Sequence, residues 1–128
     1  EEGRAKMMLV CNSCHSSLHT EGFFAQGDRA VQLYNVAYFA IADKLRAELA
    51  DKGLLKENPW SDEFQIIYYH LWHHEGRRAR QGAMMGGPDW AHWHGFFELQ
   101  QDLYKLEHIH ATRLKTGKIE GELPDLRY

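Results

Sequence analysis

The feature that most constrains this chain is the run from Cys11 to His15, in which two cysteines are separated by two residues and followed directly by a histidine. Two thiols at this spacing can add across both vinyl groups of one porphyrin, while the adjacent imidazole reaches the iron from the same turn of chain. This pattern is typical of a c-type haem attachment site. We therefore expect one covalent haem c, attached through Cys11 and Cys14, with His15 as an axial ligand.

Two other interpretations of the cysteine pair compete with haem attachment. A redox-active pair at this spacing normally accompanies a strand–helix–strand pattern, which the sequence does not show. A zinc site of this kind would need a second cysteine pair to complete its tetrahedron, and the chain contains only two cysteines. Haem attachment is therefore the favoured interpretation, and the redox pair and the zinc site remain the alternatives.

Composition limits the class of protein. At 128 residues the chain is long enough for one domain, and its net charge of −3 gives no reason to expect nucleic acid as a partner. No apolar run approaches the ~18 residues of a transmembrane segment, and no signal peptide is present. Covalent haem attachment takes place outside the cytoplasm. We therefore expect an extracytoplasmic location, in the periplasm or an equivalent compartment, with a leader removed or the chain start missing.

Apolar residues recur at helical spacing along most of the chain, and this periodicity predicts an all-α fold. A short helix over residues 1–10 would deliver the haem motif, and residues 16–27 would form a connector. Asp28 is a plausible N-cap for a second helix that runs to Lys52. Its expected apolar stripe consists of Val31, Tyr34, Tyr38, Ile41, Leu45 and Leu49.

Two further helices complete the predicted architecture. Ser61 would cap a third helix, and Pro88 would open a fourth that continues to about Lys115. Helices this long favour an elongated bundle of about four helices, carrying covalent c-type haem as part of a multihaem cytochrome. We predict a haem-binding helical domain over 1–115 and an irregular C-terminal tail over 116–128. The core candidates of the third helix are Phe64, Ile67, Tyr68, Leu71 and Trp72.

Histidine is unusually abundant, with nine in the chain, and one haem would use His15 and at most one more. The surplus suggests that the chain lies against haems that it does not itself carry. His74 and His94 are the strongest candidates for further axial ligands, and His92 and His70 come next. His70 and His74 share a helix face at i,i+4 spacing. The remaining late histidines, His108 and His110, are expected on a solvated face.

A longer segment carries a resemblance to a known family. Residues 74–95, HEGRRARQGAMMGGPDWAHWHG, resemble the C-terminal part of the octahaem hydroxylamine oxidoreductase family, which includes hydrazine dehydrogenases. The motif from Cys11 to His15, followed by a long helix, resembles that family's last haem site. The resemblance covers residues 1 to about 105. It implies that Cys11, Cys14 and His15 attach one haem, and that His74 and His94 bind haems attached elsewhere in the protein.

The chain departs from the family's pattern at one functional position. In oxidising members, a tyrosine in the Gly-Pro-Asp-x-x-x-Trp-His-Gly region bonds covalently to the catalytic haem of a neighbouring subunit in a trimer. That tyrosine aligns with Trp90, and no tyrosine lies between Tyr69 and Tyr104. Without the cross-link, the resemblance implies a haem that favours reduction of nitrite or hydroxylamine, or one that only relays electrons.

The second departure is length, because family members carry eight haem motifs and this chain carries one. It would be the C-terminal portion of a longer protein or a small subunit that completes a site in trans. The expected function is electron transfer coupled to the redox chemistry of small nitrogen compounds, without a complete active site in this chain. The alternative is a non-catalytic electron-transfer or assembly subunit. Expected partners are other haem-bearing segments or subunits, in a homotrimer or hetero-oligomer, and a redox partner cytochrome.

Overall fold

Four helices run through residues 2–119, the part of the chain that the computed structural model describes, and no strand occurs within that range. Helix α1 spans Glu2–Cys11, α2 spans 17–51, α3 spans 63–84 and α4 spans 88–116. A single 3₁₀ turn, Pro59–Ser61, precedes α3. The all-α prediction with four helices is confirmed. The predicted tail begins at the last residue of α4, and its residues 120–128 lie outside the described range.

Each of the three long helices contains a π turn, in which the helix takes up one extra residue. These turns are Asn35–Phe39 in α2, His70–Glu75 in α3 and His92–Phe97 in α4. Because of the extra residue in α2, the position that faces the core after the π turn is one residue later than a regular helix would place it. Ala42 is therefore fully buried, whereas the predicted core residue Ile41 is 39% exposed. The predicted stripe was wrong at Ile41 for this reason.

Helix α2 begins eleven residues before the predicted start, so the predicted connector over 16–27 was wrong. Ser16 is the N-cap, and its hydroxyl accepts a hydrogen bond from the backbone N–H of His19 at 3.3 Å. Gly27 does not break the helix but lies buried where a Cβ would meet the sulfur of Met84. At ~1.5 Å per residue, α2 is roughly 52 Å long.

The core lies between α2, α3 and α4. Helix α1 contributes no buried residue. It is held to α2 by Arg4, whose guanidinium makes two hydrogen bonds of 2.7 Å to the carboxylate of Asp28. The cysteine motif at the end of α1 therefore sits at the edge of the bundle. The core cluster is formed by Tyr34, Ala42, Leu49, Phe64, Leu71, Ala79, Leu99, Leu103, Leu106 and Ile109.

Three smaller predictions were also wrong. Asp62, not Ser61, is the N-cap of α3, because its buried carboxylate accepts a hydrogen bond from the Phe64 N–H at 3.0 Å. Trp72 lies in a π turn and is 38% exposed rather than part of the core. His110 is not solvated, since its Nε2 lies 2.8 Å from Glu48 Oε2 and its side chain is 12% exposed.

Within the described residues, no helix combines the length and the apolar character that crossing a membrane requires.

Candidate haem site

The cysteine motif forms one compact turn that continues directly from α1. The N–H groups of Cys14 and His15 both donate to the carbonyl of Cys11, at 3.2 Å and 3.0 Å. Both cysteines are free thiols, with Cys11 half-buried and Cys14 exposed. His15 is also exposed. The turn therefore brings two free thiols and one exposed imidazole together, as covalent haem attachment requires.

His15 is followed at once by the N-terminus of α2, and this arrangement sets the direction of its ring. His15 and His19 stack with ring centroids 4.8 Å apart and an interplanar angle of 24°. His19 lies one helical turn further along and faces the same side. His19 also lines a cleft in the surface, so this ring contact joins His15 to a residue of the cleft lining.

This cleft, of about 570 Å³, separates the first turns of α2 from the junction between α3 and α4. Its volume falls in the usual range of ligand pockets, ~300–1,000 Å³. Leu18 and Phe23 line the α2 wall, and Pro88, Ala91 and Phe96 line the opposite wall. No carboxylate, guanidinium or ammonium group is among the described residues that line it. The cleft is thus a mainly apolar surface beside the cysteine motif.

Gly22 is a glycine inside helix α2 that lies in the wall of this cleft. A glycine inside a helix costs about 1 kcal/mol relative to alanine and needs a reason. Nothing lies within 4 Å of the position where a Cβ of Gly22 would stand, so packing within the chain does not explain it. The residue lines the cleft instead. A missing side chain there leaves room for a bulky planar group.

The four histidines predicted as further ligands all lie in two π turns. His70 and His74 belong to the π turn of α3, and His92 and His94 belong to that of α4. All four side chains are exposed. Single π turns are frequent at functional sites, because the extra residue changes where side chains point. The structure does not gather the four onto one centre, and the described residues contain no cluster of three or more metal-ligating side chains.

His74 is oriented by a buried carboxylate that the sequence analysis did not single out. Its Nδ1 lies 2.8 Å from Oε1 of Glu75, whose side chain is 9% exposed. The second carboxylate oxygen of Glu75 is buried and has no hydrogen-bond partner among the described residues. A carboxylate on one ring nitrogen fixes an imidazole for ligation through the other, as is common around metals. His74 therefore presents Nε2 outward.

His94 has a comparable partner in Glu98. The Nδ1 atom of His94 lies 3.3 Å from Glu98 Oε1, and Arg78 donates to the other oxygen of Glu98 at 3.0 Å. The guanidinium of Arg78 also lies over the ring of Trp90, 5.2 Å from its centroid. The i,i+4 spacing of His94 and Glu98 was a signal in the sequence that could have found this pair.

Gly95 fixes the distance between the two histidine-bearing helices. A Cβ there would meet the Cα of Ala79 at 2.7 Å and the backbone oxygen of Trp90 at the same distance. Both atoms belong to backbone, so neither can move aside cheaply. Only glycine lets α4 approach α3 this closely directly after His94, and this contact holds the two π turns in their relative positions.

Comparisons of the chain with protein-family models, with curated proteins and with solved structures found no match.

Proposed function

We propose that this chain is a c-type cytochrome that carries one haem on Cys11 and Cys14, with His15 as an axial ligand. In this proposal it transfers electrons within a multihaem assembly of the hydroxylamine oxidoreductase-like family. The observation that carries the proposal is the Cys11–His15 turn, whose histidine is in ring contact with His19 in the lining of a mainly apolar cleft. The family assignment rests on residues 74–95 and on the motif itself.

The donor set of the turn fits the group. Two unpaired thiols are available for thioether bonds, and His15 follows on the same turn. The open space beside Gly22 and the apolar side chains of Leu18 and Phe23 supply a surface against which a porphyrin can lie. The attached group would supply an iron centre that accepts and donates one electron. The apolar wall excludes water from one side, which lowers the local dielectric and influences the potential at which that exchange occurs.

His74 and His94 are proposed as ligands to haems attached to other segments or subunits. Both imidazoles are about half exposed, at 50% and 47% of the side chain, and each is hydrogen-bonded to a glutamate. A ligand in trans must be accessible before assembly and fixed in orientation afterwards. His74 with Glu75 meets both conditions. His94 is held by Glu98 through Nδ1, and its Nε2 lies 3.7 Å from Oδ2 of Asp89. His70 remains a further candidate of the same kind.

The direction of the proposed chemistry follows from Trp90. Its indole has no phenolic oxygen, so it cannot form the tyrosine–haem bond that the resemblance associates with oxidising members. The side chain is 52% exposed and is covered on one face by Arg78. We therefore propose that the assembly reduces nitrite, hydroxylamine or a related compound, or relays electrons, rather than oxidising its substrate.

The test of the proposal is covalent haem content. The chain would be expressed with a secretion leader beside a cytochrome c maturation system, and the purified product analysed by pyridine haemochrome spectrum and intact mass. We expect one haem per chain in the natural sequence and none in the Cys11→Ala/Cys14→Ala variant. A colourless product in which both thiols react with an alkylating reagent would contradict the proposal.

A second candidate function is favoured by the exposure of four candidate ligands on one chain. A non-catalytic subunit that supplies a haem and imidazoles to a partner chain needs such an accessible set. Dye-linked assays of the haem-loaded chain, alone and in its native assembly, separate the two functions. Nitrite-dependent oxidation of a reduced dye by the assembly supports the reductase, whereas an assembly inactive toward nitrite and hydroxylamine supports the electron-transfer subunit.

A further inference from the structure

We infer that His92 is the second axial ligand of the haem attached at Cys11 and Cys14, and that the cleft between α2 and α4 receives that haem. This inference rests on the proposed function and deepens it. Three observations carry it: the position of His92 on the cleft wall, the freedom of its imidazole, and the stacking that excludes the competing histidine.

His92 lies across the cleft from the helix that follows the cysteine motif. It is the first residue of the π turn in α4, and its side chain lines the wall formed by the α3–α4 junction. The opposite wall carries His19, which is in ring contact with His15. A group attached at the motif and lying in this cleft would therefore have His15 on the α2 side and His92 on the α4 side.

The imidazole of His92 is free to bind. Among residues 2–119, no hydrogen bond, ion pair or ring contact involves it, and it is exposed. Only two other side chains in the cleft lining carry strong polar groups. Gln26 already donates to the carbonyl of Ala83 at 2.7 Å, and His19 is stacked on His15. This imidazole in an apolar cleft can therefore serve as a sixth iron ligand without breaking an existing contact.

His19 is excluded by its own geometry. Two axial imidazoles approach one iron from opposite faces of the porphyrin, with their nitrogens pointing at each other across the metal. His15 and His19 instead present their faces to each other at 4.8 Å and 24°, from adjacent turns of the same segment. A porphyrin attached at Cys11 and Cys14 would therefore be expected to have both rings on one side. His19 can therefore pack beside His15 but cannot bind opposite it.

The remaining histidine candidates lie outside the cleft. His70 and His74 are in contact with each other at a centroid distance of 5.8 Å, and His74 is bonded to Glu75. His94 is bonded to Glu98 and lies 5.4 Å from the ring of Trp90. None of these three lines the cleft. His92, the ligand that we assign to the chain's own haem, therefore lies in the cleft, whereas the histidines proposed as ligands to other haems lie outside it.

The experiment uses the full chain, loaded with covalent haem, and compares His92→Ala, His92→Met and His19→Ala. We expect each variant to retain one haem per chain by pyridine haemochrome, which tests the proposed function separately. The His92→Ala spectrum should change completely from low spin to high spin, with added imidazole restoring the low-spin form. His92→Met should show the near-infrared absorption of methionine-ligated ferric haem, and His19→Ala should remain low spin. Spectra that do not change on dilution establish that the ligand comes from the same chain.

Three results would overturn the assignment while leaving the proposed function intact. The first is a low-spin spectrum in His92→Ala at every dilution. The second is loss of the low-spin form in His19→Ala alone. The third is loss of haem from both His92 variants with circular dichroism unchanged, because His92 would then be needed for haem attachment rather than as a ligand. A chain that binds no haem in any form, including the natural sequence, would instead contradict the proposed function.

Discussion

Arg113, near the end of α4, forms a buried bidentate ion pair with Asp62, the N-cap of α3. Its Nη2 lies 2.8 Å from Oδ1 of Asp62, and its Nη1 lies 3.2 Å from Oδ2 and 2.9 Å from the carbonyl oxygen of Leu54. The two side chains are 3% and 0% exposed. This pair ties together the end of α4, the start of α3 and the loop between α2 and α3.

Removing one partner of this pair should destabilise the bundle severely. Arg113→Met leaves the carboxylate of Asp62 buried without its counter-charge, which typically costs about 3–5 kcal/mol. We expect a loss of that size in the free energy of unfolding, measured by chemical denaturation of the purified chain. Lys115→Met removes an exposed cation two residues away and serves as the control, with little expected change. Equal stability of the two variants would contradict the role assigned to the pair.

The same pair should make the fold sensitive to acid. Burial by itself raises the pKa of Asp62, but hydrogen bonds from Arg113 and the Lys56 N–H outweigh it and hold the pKa below its usual value. Because the pKa of Asp62 is lower in the folded chain than in the unfolded chain, its carboxylate stabilises the fold at pH values above the unfolded pKa of about 3.8. That stabilisation is lost as the pH falls through the folded-state pKa. The natural chain should therefore lose stability below about pH 4. Arg113→Met should show a weaker dependence in that range.

Asp102 should have the opposite pH dependence. Burial, reinforced by the neighbouring carboxylate of Glu75, raises its pKa from 3.8 to about 6. Its contribution to stability is complete below pH 3.8 and is lost as the pH rises through about 6, because the buried group must then ionise. Asp102→Asn should therefore stabilise the chain at pH 7–8 by up to roughly 3 kcal/mol, with no gain below about pH 4. Asp51→Asn, at an exposed position, is the matched control.

Two glycines in the helices should respond oppositely to alanine. In Gly95→Ala the new methyl group meets the backbone of Ala79 and Trp90, so we expect a loss of about 1–3 kcal/mol. In Gly22→Ala the methyl group meets nothing within 4 Å, so helix propensity should raise the stability of the haem-free chain by up to about 1 kcal/mol. Thermal melts of both variants provide the measurement. A stable Gly95→Ala protein would show that α3 and α4 can move apart without cost.

His15→Ala should separate covalent attachment from ligation. Both thiols remain in place, so one haem per chain is still expected, but the stable low-spin spectrum should disappear because the proximal imidazole is gone. His108→Ala removes a half-buried histidine in α4 that lies outside the cleft and should leave the absorption unchanged. An unaltered spectrum in His15→Ala would mean that another side chain occupies the proximal position.

The fold class followed from apolar periodicity, but the exact helix faces did not. The periodicity identified Tyr34, Leu49, Phe64 and Leu71 as core residues, and all four are buried. It failed at Ile41 because a fixed spacing of three and four residues cannot represent the extra residue of a π turn. Tertiary packing rather than local helix propensity decides where a π turn forms. The spacing of apolar residues in the sequence therefore did not reveal this one.

The sequence identified the candidate haem ligands, but it did not identify the cleft beside them. The spacing of Cys11, Cys14 and His15 is local, and the structure keeps it as one turn. The cleft depends instead on residues about 60 positions apart in sequence, such as Gln26 and Ala83, whose contact only the fold creates. Gly22 and Gly27 both fall in the segment predicted as a connector. In the structure the first faces open space in a helix wall and the second makes a packing contact.

The π turns affect how the sequence of such a chain can evolve by insertion or deletion of single residues. Each one absorbs a single extra residue locally, so that the helix beyond it keeps its face toward the core. Deleting one codon within residues 92–97 would therefore restore a regular helix, leaving the downstream contacts of α4 in place and changing the direction of the side chains within the turn. Ligand positions in this bundle could then be gained or lost by one-codon steps, without redesign of the scaffold that carries them.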